Sequence, residues 1–164
     1  MNKSELARIY DLYFNTVYKV CFLYLKNHSD AQDMTQETFC RMLHKPFCYE
    51  SDEKTKAWLI VCASNMCKNH LKKWWVKYKL SYEDSLLQTD SQSIPQDESA
   101  AKNEFYHLIM SLERKYLIPT YLYYYEGYKT AEIADMLHEK TSTIQTRLAK
   151  ARELLRMELE QGDS

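Results

Sequence analysis

The chain has 164 residues, 45% of them apolar and 27% charged, with a formal net charge of −1. That balance excludes a disordered or fibrous chain and leaves room for one medium domain or two small ones. No run of 18 apolar residues offers a membrane span, the start "MNKSELARIYDLY" lacks a signal-peptide core, and five cysteines without a framework spacing fit free thiols in a reducing compartment, so a cytoplasmic location is expected.

With only two glycines and three prolines, and helical spacing throughout, the sequence reads as all-α. From Ser4 onward, Leu6, Ile9, Tyr10, Tyr13, Val17, Val20, Cys21 and Tyr24 recur at three and four, which predicts an amphipathic helix to about Lys26. A second helix is expected to open at "SDAQ", with Ser29 as cap and Gln32 reaching back. Its core stripe would be Ala31, Met34, Thr35, Thr38 and Met42, leaving Asp33, Gln36, Glu37 and Cys40 on the opposite side. That polar strip is either a solvated face or a docking surface.

Charge is unevenly spread. From Lys54 to Tyr82 there is no acidic residue, while Lys54, Lys56, Lys68, Lys72, Lys73, Lys77 and Lys79 all lie there. On a helix from Thr55 to about Lys79, Leu59, Ile60, Ala63, Met66, Cys67, Leu71 and Trp74 share one side, and Asn65, Lys68, Asn69 and Lys72 share the other. Lysines neutralise phosphates and asparagine pairs with base edges, so this face suits nucleic acid; exposed lysines also serve solubility alone. Segment 81–101 then reverses sign, with five acids, no base and many Ser and Gln, the composition of a mobile linker.

Beyond it, "EGYKTAEIADMLHEKTSTIQTRLAKAR" places two short apolar periodicities back to back. The first helix would run from a Thr130 cap to Leu137, burying Ile133, Ala134 and Leu137. The second would start at Thr141 or Ser142 and bury Ile144, Leu148, Ala151 and Leu155. Between them, His138 is the candidate for the left-handed turn residue. Opposite the second core stripe lie Ser142, Gln145, Thr146, Ala149 and Lys150, with Arg147 and Arg152 on the flanks, as on a recognition helix in a major groove. The pattern reads as a helix-turn-helix; an αα-hairpin with a polar face is the plainer alternative.

"SDAQDMTQETFCRML", "KTKAWLIVCASNMCKNHLKK" and "YLYYYEGYKTAEIADMLHEKTSTIQTRLAKARELL" resemble, in that order, the region 2 and region 4 signatures of the extracytoplasmic-function (ECF) group of bacterial sigma-70 factors. The resemblance implies two small helical domains, a region 2 bundle over 1–80 and a region 4 helix-turn-helix over 102–164, joined by the linker 81–101. It implies that Asp33, Gln36 and Glu37 grip the clamp of core RNA polymerase and that the linker threads toward the RNA exit path. Segment Phe47 to Lys54 matches the loop that captures a flipped promoter base, with Tyr49 as a wall of that pocket and Ser51 and Lys54 beside it. Asn65, Lys68, Asn69, Lys72 and Lys73 would contact the −10 element. The −35 element would be read by Lys140, Thr141, Ser142, Thr143, Gln145, Thr146, Arg147, Lys150 and Arg152, with the polymerase flap a further contact. It also implies a monomer when free, nucleoid association in the holoenzyme, and room for an anti-sigma partner.

Two positions depart from the family pattern. Glu113 stands where a proline is usual, and Pro119 where an apolar helix residue is usual, so a kink is expected near Tyr116 to Tyr125. The run "YLYYYEGY" is read as core and interhelical packing.

Other classes fit less well. Cys40, His44 and Cys48 are spaced by four but interrupted by Pro46, and Cys62 lies about 140° from Cys67 on the wheel, so no metal or cofactor is expected. There is no glycine-rich phosphate loop or nucleophile elbow, so no enzyme is expected either. A helix-turn-helix regulator that does not bind core polymerase is the alternative function.

Overall fold

The computed structural model describes residues 2–45, 47–78 and 99–162, which form seven α-helices and no strand among them. The chain divides into two compact units, Met1–Pro95 and Gln96–Ser164. The linker expected over 81–101 lies outside the described residues apart from Ser99 to Ala101.

The first unit is built from α1 (Lys3–Leu25), α2 (His28–His44) and α3 (Asp52–Tyr78), each packed on the other two. Helix α1 starts where Asn2 accepts a hydrogen bond from the Glu5 amide at 2.8 Å. Its second half, Val17 to Leu25, is buried all round, as befits a helix that covers two partners at once. Tyr10, Phe14, Tyr18 and Phe22 form an aromatic ladder at four-residue steps, with ring centres 5.2, 6.4 and 6.1 Å apart. The ladder is tied to α2 by Phe39, 4.9 Å from Tyr10, and by a 2.6 Å hydrogen bond between the Tyr18 hydroxyl and His28 Nδ1.

Helix α2 begins one residue ahead of the expected cap. Asn27, not Ser29, is the N-cap, accepting from the Asp30 amide at 2.8 Å while its own amide nitrogen donates to the Asp30 carboxylate. The reason is the left-handed C-cap of α1 at Lys26 (φ 57°), which turns the chain so sharply that the next residue already caps α2. Ala31, Thr35, Thr38 and Met42 are buried as expected, Phe39 joins them, and Met34 is half-exposed. The two buried threonines donate to the Ala31 and Met34 carbonyls at 2.7 Å, so neither hydroxyl is stranded in the core.

The second unit holds α4 (Ala100–Ile109), α5 (Arg114–Thr120), a π-helical turn (Tyr121–Tyr125), α6 (Thr130–Leu137) and α7 (Thr141–Gly162). Ser99 caps α4, so the helix begins inside the last residues assigned to the linker. Pro119 sits within α5 and removes the amide that would bond the Lys115 carbonyl. Two residues on, the backbone widens into the π turn, closed by Glu126 N–H to Tyr121 O at 3.1 Å. The disturbance expected around the proline is thus a change of helix type.

That change also splits the tyrosine run. Tyr121 and Leu122 are fully buried, with Tyr121 stacked 4.8 Å from Tyr125 and donating its hydroxyl to Glu126 at 2.6 Å. Tyr123 and Tyr124 face outward, 38% and 46% exposed; Tyr124 still packs edge-on against Phe105 of α4 with ring centres 6.1 Å apart, so the expected interhelical packing holds there in part and weakens at Tyr123. Gly127 (φ 82°) then supplies the left-handed residue that leads into α6.

Candidate nucleic-acid interface

Helices α6 and α7 are held by one shared core of Ile133, Ala134, Leu137, Ile144, Leu148 and Ala151, all buried. The N-cap of α6 is Lys129, one residue before the expected Thr130, and its amide donates to the Glu132 carboxylate at 2.9 Å. His138 takes the left-handed turn position (φ 58°, ψ 42°), as read from the sequence. With the turn fixed, one face of α7 is left outward: Thr141, Ser142, Gln145, Thr146, Ala149, Lys150 and Arg152 are exposed, Lys140 precedes them in the turn, and Thr143 and Arg147 are half-buried. Leu155, expected in the core, is only half-buried.

The polar groups on this face are prearranged. Thr146 donates its hydroxyl to the Ser142 carbonyl at 2.9 Å, which leaves its methyl and lone pairs outward. Arg147 pairs with Glu139 of the turn at 3.4 Å, and Lys150 with Glu153 at 3.7 Å. Arg152, expected to touch DNA, donates to the Tyr124 hydroxyl at 3.0 Å and so braces the exposed end of the π turn. A groove of about 500 Å³ runs along the same face, walled by Lys115 and Tyr116 of α5 against Ser142, Thr143, Thr146, Arg147 and Lys150. Lys115 and Tyr116 carry no periodic signal that marks them for this face; only the fold brings them to α7.

In the first unit, Asp33, Gln36 and Glu37 are all exposed on the side of α2 away from its core, with exposed Cys40 next along the strip. On α3, Leu59, Ile60, Ala63, Met66, Cys67 and Leu71 are buried and Trp74 is half-buried. The opposite face carries Asn69, Lys72 and Lys73 exposed, with Asn65 and Lys68 half-buried. The basic and amide-bearing face drawn from the sequence is therefore a surface.

The segment before α3 is more constrained than its sequence indicates. Phe47 packs edge-on against Trp58 with centres 5.1 Å apart. Ser51 caps α3, accepting from the Lys54 amide at 3.2 Å. Lys54 is hydrogen-bonded to Glu50 one turn back, an ion pair that lowers the Glu50 carboxyl and raises the Lys54 ammonium from their ordinary ranges. Tyr49 donates to Asp52 Oδ1 at 2.6 Å, and Arg8 of α1 grips both oxygens of the same carboxylate at 2.9 and 3.1 Å. The Arg8 hydrogen bonds, then that of Tyr49, hold the Asp52 carboxyl below its usual range. Arg8 and Asp52 were not singled out in the sequence because 44 residues separate them.

Among the described residues, no group of three or more His, Cys, Asp or Glu is placed to hold a metal ion. Burial pushes the half-buried Cys62 thiol up, away from the thiolate that metal binding or redox chemistry requires.

Residues 9–76 match the family model for sigma-70 region 2, and residues 102–155 match that for sigma-70 region 4. The chain belongs to the sigma-70 family. Its relatives include ECF members of that family: it is 27% identical to the ECF RNA polymerase sigma factor SigW of Bacillus subtilis, over 96% of this chain and 90% of that one. It is 26% identical to the sigma factor SigV of the same organism, over 89% and 86%. The sigma factor RpoE of Bartonella quintana, solved with the anti-sigma factor NepR, shares the fold with a TM-score of 0.75 at 19% identity, over 95% of this chain and 97% of that one. CnrH, solved with the cytosolic domain of CnrY, shares it at 0.65 and 16% identity, over 99% and 92%. The two sigma-factor regions therefore occur in the expected order, the first matched within the first compact unit and the second within the other. No helix among the described residues is long and apolar enough to cross a membrane.

Proposed function

We propose that this sigma factor docks on core RNA polymerase through Asp33, Gln36 and Glu37 of α2 and selects promoters through two separate surfaces. In the first unit, the 47–54 segment and Asn65, Lys68, Asn69, Lys72 and Lys73 of α3 engage the −10 element. In the second, α7 enters the major groove of the −35 element, with Gln145 and Thr146 toward base edges and Arg147 and Lys150 toward phosphates. Its contribution to initiation is non-catalytic, since polymerase makes the phosphodiester bonds, and it acts in the cytoplasm with the nucleoid. An anti-sigma protein that covers one of these surfaces is a further proposed partner.

The observation that carries this reading is the α7 face: polar side chains exposed in one row, backed by a buried Ile144–Leu148–Ala151 stripe and oriented by a rigid two-helix turn. Lysine-rich α3 adds the sequence-independent attraction that melted and duplex DNA both exert. Reconstitution with core polymerase and run-off transcription on genomic DNA tests it. Discrete start sites that vanish without the protein are expected; retention of duplex binding with no core association would establish instead a helix-turn-helix regulator. Replacing Asp33 and Glu37 with alanine should weaken core binding while circular dichroism stays unchanged, because both residues are exposed and support no core. Unaltered core affinity would remove the docking role from α2.

A further inference from the structure

The 47–51 segment is anchored to α1 by a cluster of four side chains. The Arg8 guanidinium forks onto Asp52, the Tyr49 hydroxyl donates to the same carboxylate, and Arg8 lies over the Tyr49 ring, 5.8 Å from its centre. Tyr13, also on α1, donates its hydroxyl to the Asp52 backbone carbonyl at 3.0 Å. Tyr49 nonetheless remains 40% exposed, so one part of the ring is fixed and the rest is open.

An exposed ion pair contributes little to global stability. Arg8 and Asp52 converging on a surface tyrosine, with Tyr13 on the Asp52 carbonyl behind them, therefore have their main effect on the conformation of the segment that carries it. We propose that Arg8 is a positioning residue for promoter opening: with Asp52 it holds the Tyr49 ring in place, so that an extruded −10 base stacks on a surface already formed. This rests on the reading of the 47–54 segment as the base-capturing loop. The physical gain is preorganisation. A mobile loop must be ordered at the moment of binding, and that entropy is subtracted from the affinity, whereas a latched loop has been ordered during folding. Stacking on an aromatic face tolerates any base, so it is the fixed distance between ring and backbone that lets neighbouring groups discriminate.

The test uses holoenzyme reconstituted from the full chain and core polymerase. The probe is a fluorescent single-stranded oligonucleotide enriched from a random pool by the wild-type holoenzyme, then varied one base at a time. Arg8→Ala should lower affinity for the enriched strand by about threefold to tenfold, the scale of re-ordering one short loop, and flatten discrimination at one base position. Asp52→Asn should do the same, and the double variant should be no worse than either, since both remove one latch. Arg8→Lys keeps the charge without the two-pronged fork and should recover only part of the loss. Helical content and binding to −35 duplex should not move in any of these. Tyr49→Ala separates the two ideas. If it weakens strand binding while Arg8→Ala and Asp52→Asn leave both affinity and discrimination unchanged, the latch is wrong and the loop reading stands. If Tyr49→Ala is itself silent, the loop reading falls and the latch with it.

Discussion

The two candidate DNA-contacting regions are built on opposite principles. The α6–α7 pair is specified mostly locally: its turn, caps and the core between the two helices come from residues 129–151, and its binding face is what that core stripe leaves outside, with α5 packed on α7 beside it. The 47–54 segment has no core of its own. Its geometry comes from Phe47 on Trp58 and from Tyr49 and Asp52 on Arg8 and Tyr13, contacts that span 11 to 44 residues. A rigid helical face suits duplex DNA, whose groove has a fixed shape; a surface tethered by exposed polar contacts suits a single extruded base, which must be admitted and released. The difference also decides which substitutions damage folding and which damage only recognition.

The largest effect should fall on the local region. Ile144 is fully buried between α7 and its neighbours, so Ile144→Ala should destabilise the C-terminal unit by roughly 2–5 kcal/mol. Thermal unfolding followed by circular dichroism should show a lowered transition, with −35 duplex binding lost at the same temperatures. Arg8→Ala should leave that transition in place. Equal loss from both would mean that the latch is a structural core element, and the contrast between the regions would collapse.

The same contrast explains what could be read in advance. The helix-turn-helix was legible down to the left-handed His138, because a 3.6-residue period and one turn residue specify it within a short window. The outward Asp33–Gln36–Glu37 strip and the basic α3 face were legible for the same reason. Caps were displaced by one or two residues, Asn27 for Ser29 and Lys129 for Thr130, since several residues in a row can cap and tertiary packing selects among them. The outward Tyr123 and Tyr124 were hidden because Pro119 is followed by a π turn, and the wheel that predicts burial assumes an α period. Arg8, Lys115 and Tyr116 were hidden because no periodicity reports which residues meet across a fold.

The next effect is smaller and confined to recognition. Gln145→Ala or Thr146→Ala should change preference at particular −35 positions by about 1–3 kcal/mol, since both side chains are exposed on the α7 face proposed to meet base edges. Arg147→Ala and Lys150→Ala should weaken all duplexes alike and lessen the salt dependence. For Arg147 the loss should be partly offset, because in the free chain this side chain is already paired with Glu139 and must leave it to reach a phosphate. Titrating a panel of duplexes at two salt concentrations makes the comparison. Sequence-blind losses for all four would move promoter choice from α7 to the first unit.

The smallest expected effect sharpens the comparison at the backbone. Each unit ends a helix on a non-glycine residue in the left-handed region, Lys26 after α1 and His138 after α6, at nearly the same φ of 57° and 58°. A side chain there costs about 1–2 kcal/mol, and glycine gives back about 0.5–1 kcal/mol through its larger unfolded-state entropy. For His138, whose side chain is exposed, the balance favours glycine, so His138→Gly should raise stability by about 0.5–1 kcal/mol. Lys26 is different: only 6% of its surface is exposed, so Lys26→Gly removes the packed stem of the side chain along with the strain. That loss should cancel or exceed the backbone gain, and the variant should be neutral or less stable. Urea titrations of the two single variants decide it. If both changes stabilise by the same amount, the Lys26 stem contributes nothing to packing and the two turns are equivalent. Opposite signs would show that the first unit relies on side-chain burial even at its turn, where the second relies on backbone geometry alone.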